Sequence, residues 1–242
     1  MAYSNPSLVF IHGFRGAPMG FDAVVKHLEK DFDIHIPAIP PFAGATPLIN
    51  YTPETYADFL ASYLNTNHIT KPVLIGHSMG SIIAAATAEK FPDLLGDKLI
   101  FISPISTKTP NYVRRAQPLV NIFPNRILSR ITTNFLFIPQ HSRKTYREAL
   151  EKTIICGEQY TSKEDVLAAA NFSTSYSISD FSFNKNTLMI VGDKDRVVSK
   201  RKTANFAHLR NFQLQIIKKS GHIVNYEQPE QLAKIIREFL DQ

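Results

Sequence analysis

The sequence predicts an α/β protein: a mostly parallel sheet of about six strands, covered by helices on both faces, with an inserted helical cap. Three observations lead there. Short apolar runs alternate with helical-period segments up to residue 105 and again from residue 183. Between them, residues 106–182 lose that rhythm. The stretch VLIGHSMGSIIAA, residues 73–85, passes from an apolar run into a helical one through a serine with a glycine two residues to either side. Strands alternating with helices of this length make a parallel sheet covered on both faces. The domains expected are therefore a core of residues 1–105 and 183–242 and a cap of residues 106–182.

The elements follow in order. SLVFI (7–11), bounded by Pro6 and Gly13, reads as a buried strand. FDAVVKHLEK (21–30) places Phe21, Val24, Val25 and Leu28 on one side of a helix. A second strand is expected at 32–36, ended by Pro37, Pro40 and Pro41. YTPETYADFLASYLNTN opens a helix with Thr52 as N-cap and Pro53 in its first turn. KPVLIGHS and KLIFISPI (98–105) supply the third and fourth strands, with a helix from MGSIIAAATAEKFP between them. In the cap, KTYREALEKTII and SKEDVLAAANFST read as helices. Afterwards come a strand in NTLMIVGDKD, a helix in SKRKTANFAHL, a strand in FQLQIIKKSGH and a final helix in PEQLAKIIREFL. The first strand begins almost at Met1, so no antiparallel pair is expected before it.

Composition narrows the function. With 242 residues the chain can bury a substantial core. At 44% hydrophobic and 20% charged it is an ordinary globular protein, neither disordered nor fibrous. The net charge of +6 reads as spread over short basic pieces, FPNRILSR, HSRKTYR and KRKTANFAHLR, which describes solvated faces rather than a nucleic-acid footprint. One cysteine, Cys156, makes no intrachain disulfide. No apolar run reaches the roughly 18 residues of a membrane span, and the N-terminus does not read as a signal peptide. The expectation is a cytoplasmic protein with no nucleic-acid partner and no membrane insertion; the oligomeric state is not legible.

Gly76, Ser78 and Gly80 suit a tight strand-to-helix turn that lifts the serine hydroxyl above the C-terminal edge of the sheet. The competing reading is an N-cap serine between incidental glycines. A serine nucleophile needs a base, and the base an orienting acid. His222, in KKSGHIV just past the last strand, is the candidate base. His27, His68 and His208 sit on polar or interhelical segments, His141 in the cap, and His35 within a strand. His77 belongs to the turn, and His12 to a His–Gly turn that shapes the site. MIVGDKDRVV offers two acids; reach toward a neighbouring loop favours Asp195, and Asp193 is expected to tie down loop amides. HGFRGAPMG (12–20) is the early loop that supplies an oxyanion donor, the Phe14 amide, beside the Met79 amide at the helix start. No GxxxxGK, dinucleotide fingerprint or metal-ligand cluster is present, so no cofactor and no metal are expected.

With HGF at 12–14, GHSMG at 76–80, GDKD at 192–195 and GH at 221–222, the chain resembles the alpha/beta-hydrolase superfamily, in its serine-nucleophile branch with a helical cap. The resemblance covers nearly the whole chain. It implies Ser78 as nucleophile, His222 as base and Asp195 as the acid, settling the choice left open above. It implies an esterase acting on a small-molecule acyl substrate, a small to medium carboxylic ester. The alternatives are a carbon–carbon bond hydrolase or thioesterase of the same fold, or an idle ligand-binding receptor. Where relatives often carry another glycine this chain has Ser81, a change expected to affect only helix packing. Cap residues Phe123, Phe135 and Phe137 are the candidates for lining the pocket; Arg114 and Arg115 read as solvated, with contact to an anionic substrate as the alternative.

Overall fold

The structure, a computed structural model, describes residues 5–108, 144–158 and 161–242. Six parallel strands form one sheet in the order β2-β1-β3-β4-β5-β6. They are β1 (Ser7–Ile11), β2 (Asp33–His35), β3 (Val73–His77), β4 (Lys98–Ile102), β5 (Asn186–Gly192) and β6 (Gln213–Ile217). The helices are α1 (Asp22–Val25), α2 (Pro53–Thr66), α3 (Met79–Lys90), α4 (Lys144–Glu158), α5 (Lys163–Ser175), α6 (Lys200–Leu209), α7 (Val224–Glu227) and α8 (Pro229–Leu240).

The two-residue period of a strand divides the core in two. Val9 and Ile11 of β1, Leu74 of β3 and Leu99 and Phe101 of β4 face one way, into a core closed by α2, α3 and α5. Leu8 and Phe10, Val73 and Ile75, and Ile100 and Ile102 face the other way, onto Val24 of α1 and Leu232, Ile236 and Phe239 of α8. Strands buried on both faces need continuous apolar sequence, which is why VFI, VLI, LIFI and LMIV carry no polar side chain. The rim strands are different: β2 has no buried residue, and only Ile217 of β6 is buried.

Most boundaries match the sequence reading, with informative exceptions. The expected helix over 21–30 is regular only in α1, with a 3-10 turn at Pro18–Phe21 before it. Phe21, Val24 and Leu28 are nonetheless buried as their spacing requires, because the turns that follow keep them on the same side. β4 stops at Ile102 rather than 105, since Ser103 takes a positive φ of 45° that no strand continues. At α2, the Thr52 side chain accepts the Thr55 amide while the Thr55 hydroxyl accepts the Thr52 amide, a reciprocal cap.

A helical insertion separates β4 from β5, and its later part is fused to the main core. Ala169 and Phe172 of α5 are buried there; the Phe172 ring lies 4.6 Å from Tyr56, and the Tyr51 hydroxyl donates to Asp165 at 2.7 Å. Helix α4 forms a separate small cluster, with Leu150 and Ile154 against Ile223 and Tyr226. The pocket candidates Phe123, Phe135 and Phe137, and Arg114, Arg115 and His141, lie outside the described residues.

Packing of α3 onto the sheet leaves no room for a side chain at its first turn. A Cβ on Gly80 would collide with the Ile11 carbonyl, and one on Gly76 with the Gly80 carbonyl. Gly80→Ala is expected to destabilise the protein by about 3 kcal/mol. Gly44→Ala, where φ is +75° but nothing lies within 4 Å, should cost only about 1 kcal/mol of backbone strain. Urea unfolding of the two variants measures the difference.

Candidate active site

Ser78 sits between β3 and α3 with φ 52° and ψ −117°. Few residues adopt such a conformation, so it must be held by its surroundings. Its amide donates to the Ile102 carbonyl at 3.0 Å, and the adjoining glycines permit the crossing just described. Gly13 belongs to the same arrangement: a Cβ there would lie 3.1 Å from that of Ser78. The early loop therefore packs directly on the turn.

Three side chains line up at the C-terminal edge of the sheet. His222 Nε2 lies 3.0 Å from Ser78 Oγ, and His222 Nδ1 lies 3.0 Å from Asp195 Oδ2. The Asp195 side chain is fully buried and that of His222 only 5% exposed. The other carboxylate oxygen, Oδ1, accepts the amides of Val197 at 2.8 Å and Val198 at 2.9 Å, which locks its orientation. Burial alone would raise the pKa of this carboxyl. The facing His222 and the bonds to His222, Val198 and Val197 outweigh burial and hold it below its usual value. An ionised carboxylate only accepts, so Nδ1 of His222 carries the proton and Nε2 presents a lone pair to the Ser78 hydroxyl.

Asp193 is placed otherwise, its Oδ1 accepting the Ser220 amide at 3.3 Å and so pinning the loop ahead of His222. Among the described residues, neither the Phe14 nor the Met79 amide donates to a backbone carbonyl. Met79 N is the first amide of α3, where the helix dipole favours negative charge. No group of three or more His, Cys, Asp or Glu side chains suited to a metal occurs among the described residues.

Several supports were not legible as such in the sequence. Glu227, buried at the end of α7, accepts the Ser220 hydroxyl at 3.0 Å and the Gly221 amide at 2.5 Å. The only sequence signal was an acid in the apolar run after His222. His77 takes part as well: its Nε2–H donates to the His222 carbonyl at 3.0 Å and so holds the neighbouring loop. Ser81 does more than affect helix packing. Its hydroxyl donates to the Ser78 carbonyl at 2.5 Å and accepts the Ile105 amide at 3.3 Å, tying the turn to the chain leaving β4. Helix α4 also reaches the site. A Cβ on Gly157 would lie 2.6 Å from the carbonyls of Arg15 and Gly16, and Thr153 bonds the Tyr226 hydroxyl.

His12 supports the early loop. Its Nδ1–H donates to the Gly13 carbonyl at 3.0 Å, and Nε2 accepts the Ile39 amide at 2.9 Å. Protonation would set a second N–H against the Ile39 amide. Burial, partly opposed by the Gly13 bond, lowers its pKa from 6.5 to about 4. Burial first, and repulsion from His222 second, lower that of His77 to about 3. Both folded values lie below the unfolded one, so as pH falls the unfolded chain takes up these protons first. Their contribution to stability is complete above pH 6.5 and is lost progressively down to the folded values. At about 1.4 kcal/mol per pH unit for each histidine, unfolding in urea at pH 7.5 and pH 5 should differ by about 4 kcal/mol. His12→Gln should remove about half of that pH dependence.

The described helices include none long and apolar enough to cross a membrane. Comparison with known proteins agrees with the geometry. The chain is 25% identical to the uncharacterized hydrolase YugF of Bacillus subtilis, over 98% of this chain and 92% of that one. Among solved structures it is similar to a thermophilic esterase from Thermogutta terrifontis, with a TM-score of 0.83 and 23% identity over 98% of this chain and 90% of that one. A bromoperoxidase from Bacillus anthracis superposes with a TM-score of 0.86 at 18% identity, over 99% and 93% of the two chains. The alpha/beta hydrolase family model matches residues 8–235. The chain belongs to the alpha/beta hydrolase family.

Proposed function

We propose that the protein is a serine hydrolase that cleaves small to medium carboxylic esters through an acyl-enzyme on Ser78. The observation that carries this reading is the line from Ser78 Oγ through His222 to a fully buried Asp195, two contacts of 3.0 Å each. A structural or ligand-binding role would gain nothing from burying a carboxylate behind a histidine aimed at a strained serine. The Thermogutta terrifontis relative is an esterase, which accords with the reading.

In the first half-reaction, Ser78 Oγ attacks the ester carbonyl as its proton passes to His222 Nε2. Asp195 holds the ring by Nδ1–H and stabilises the imidazolium. The carbonyl oxygen becomes an oxyanion facing the amides of Phe14 and Met79. Collapse of the tetrahedral intermediate breaks the C–O bond, and the leaving alkoxide takes the proton from Nε2. In the second half, water gives a proton to Nε2 and its oxygen attacks the acyl carbon. The acid departs and Ser78 recovers its proton. The residues present need no metal or organic cofactor for these steps.

The insertion within residues 106–182 acts in this reading as the cap over the acyl and alcohol sites, with α4 resting on the early loop. A cap that excludes water sets which acyl lengths are accepted. The single cysteine accords with a cytoplasmic setting.

A fluorophosphonate should label Ser78 stoichiometrically, and Ser78→Ala should abolish both labelling and turnover of p-nitrophenyl esters. Unchanged hydrolysis by that variant would end the proposal. Asp195→Asn places an amide N–H where Nδ1–H must be accepted, which favours the wrong tautomer, so turnover should fall about three to four orders of magnitude with KM little changed. Asp193→Asn should leave turnover within about tenfold and act mainly on stability. The reverse ranking in folded proteins would exchange the two roles.

A further inference from the structure

The basic excess of this chain is not evenly spread, contrary to the first reading of its short basic pieces. Residues 194–219 hold eight Lys and Arg against one acid, Asp195, and residues 108–147 hold eight against none. The rest of the chain has 11 Lys and Arg against 20 acids, so outside these two stretches the protein is acidic.

The fold puts the first of these stretches at the proposed catalytic edge. Lys194 and Arg196 flank Asp195, each about 3.8 Å from it along the chain. Lys218 and Lys219 follow β6 and stand three or four residues before His222. The two loops are joined by backbone bonds, Asp193 N to Ile217 O at 2.8 Å and Lys194 N to Ser220 O at 2.9 Å. Lys200, Arg201 and Lys202 occupy the first turn of α6, which begins at this same edge. All seven are exposed. Arg210, at the far end of α6, is set apart by its packing on Phe183, Phe206 and Phe212.

Two features separate this rim from an ordinary solvated surface. First, cations at a helix start oppose the helix dipole, and α6 has three there and no acid. Second, four other described cations have acidic partners, Lys90–Asp58, Arg237–Asp31, Lys234–Glu238 and Lys108–Asp180, and those without one, such as Lys26, Lys30, Lys71, Lys152 and Lys163, are scattered rather than gathered at one edge. Among the described residues, none of the seven rim cations forms an ion pair. Of the two acids at this edge, Asp195 is buried and committed to His222, and the half-buried Asp193 accepts the Ser220 amide. The arrangement sets positive charge against the helix dipole at the same edge of the sheet as Ser78, Asp195 and His222.

We infer that this unpaired cationic rim gives the site a preference for esters that themselves carry a negative charge. The inference rests on the ester-hydrolase reading above. The charges are exposed, so they act through their summed field, which raises the local concentration of an anion at the site and fades as salt shortens the Debye length from about 10 Å at 0.1 M. A small soluble anion fits the rim better than a macromolecule. The exposed large apolar side chains of residues 194–219 are Val197, Ile216 and, at the far end of α6, Leu209, and no exposed aromatic for base stacking or membrane anchoring occurs among the described residues.

The test compares p-nitrophenyl butyrate with mono-p-nitrophenyl succinate, whose four-carbon acyl chain ends in a carboxylate. At about 20 mM salt the ratio of kcat/KM, charged over neutral ester, should exceed its value at about 500 mM by about tenfold, through KM and not kcat. In K200E/R201E/K202E the low-salt ratio should drop to the wild-type high-salt value, with butyrate turnover within about twofold of wild type. Acids at a helix start suit the dipole, so this variant should melt no lower than wild type. A ratio that ignores salt, or that survives the charge reversal, overturns the inference. So does a flat ratio together with inhibition of butyrate turnover by anionic phospholipid vesicles, which would assign the rim to a lipid surface. Turnover of neither ester counts against the ester-hydrolase reading itself and is distinguishable from both.

Discussion

The arrangement of this protein depends on one steric constraint: backbone meeting backbone where α3 leaves the sheet. Gly80 lies against the Ile11 carbonyl and Gly76 against Gly80, with no side chain between them. That contact brings the start of α3 within reach of the loop after β1. It forces Ser78 into its positive-φ turn and sets the Met79 amide beside the loop that carries Phe14. The hydroxyl, the helix start and the early loop are thus positioned by the same crossing. Parallel pairing with both faces covered supplies the rigidity, since β1, β3, β4 and β5 are buried almost throughout.

A second layer of polar bonds fixes what the crossing leaves free. The loop bearing His222 is held from three sides: Asp193 takes the Ser220 amide, Glu227 takes the Gly221 amide, and His77 donates to the His222 carbonyl. Gly192 has no side chain because a Cβ would strike the Ser220 and Gly221 carbonyls. Each of these groups is buried or nearly so, where a hydrogen bond left unmade costs more than a made one gains. The loop therefore has one low-energy placement, and His222 inherits it.

What the sequence made legible was whatever depends on local pattern. The period of VFI, VLI and LIFI announced buried strands, Thr52 with Pro53 announced the start of α2, and the spacing of Gly76, Ser78 and Gly80 announced the turn. The pairing of Ser78 with His222 was readable because the turn chemistry demanded a base and His222 alone followed the last strand. What stayed hidden depends on contacts across the chain. Nothing near Glu227 says that its carboxylate folds back on Gly221, six residues earlier. Nothing near Ser81 says that its hydroxyl will meet the chain beyond β4. The full length of FDAVVKHLEK looked helical because its apolar spacing is helical, yet successive tight turns keep the same side chains buried. The grouping of charge was hidden for a similar reason: Lys194, Arg196 and Lys200–Lys202 come beside Lys218 and Lys219 only when β5 and β6 lie side by side.

Gly157 gives the insertion an evolutionary consequence. Its lack of a side chain lets the end of α4 rest on the Arg15 and Gly16 carbonyls, and its own carbonyl accepts the Ala43 amide. The helix and the loop carrying the Phe14 amide therefore share a surface with no slack. A lineage that repacked α4 to admit a bulkier substrate would shift that loop at the same time. Substitutions that reshape the insertion are therefore accommodated most easily where it does not bear on residues 13–16, and the α4 contact is the part least free to vary.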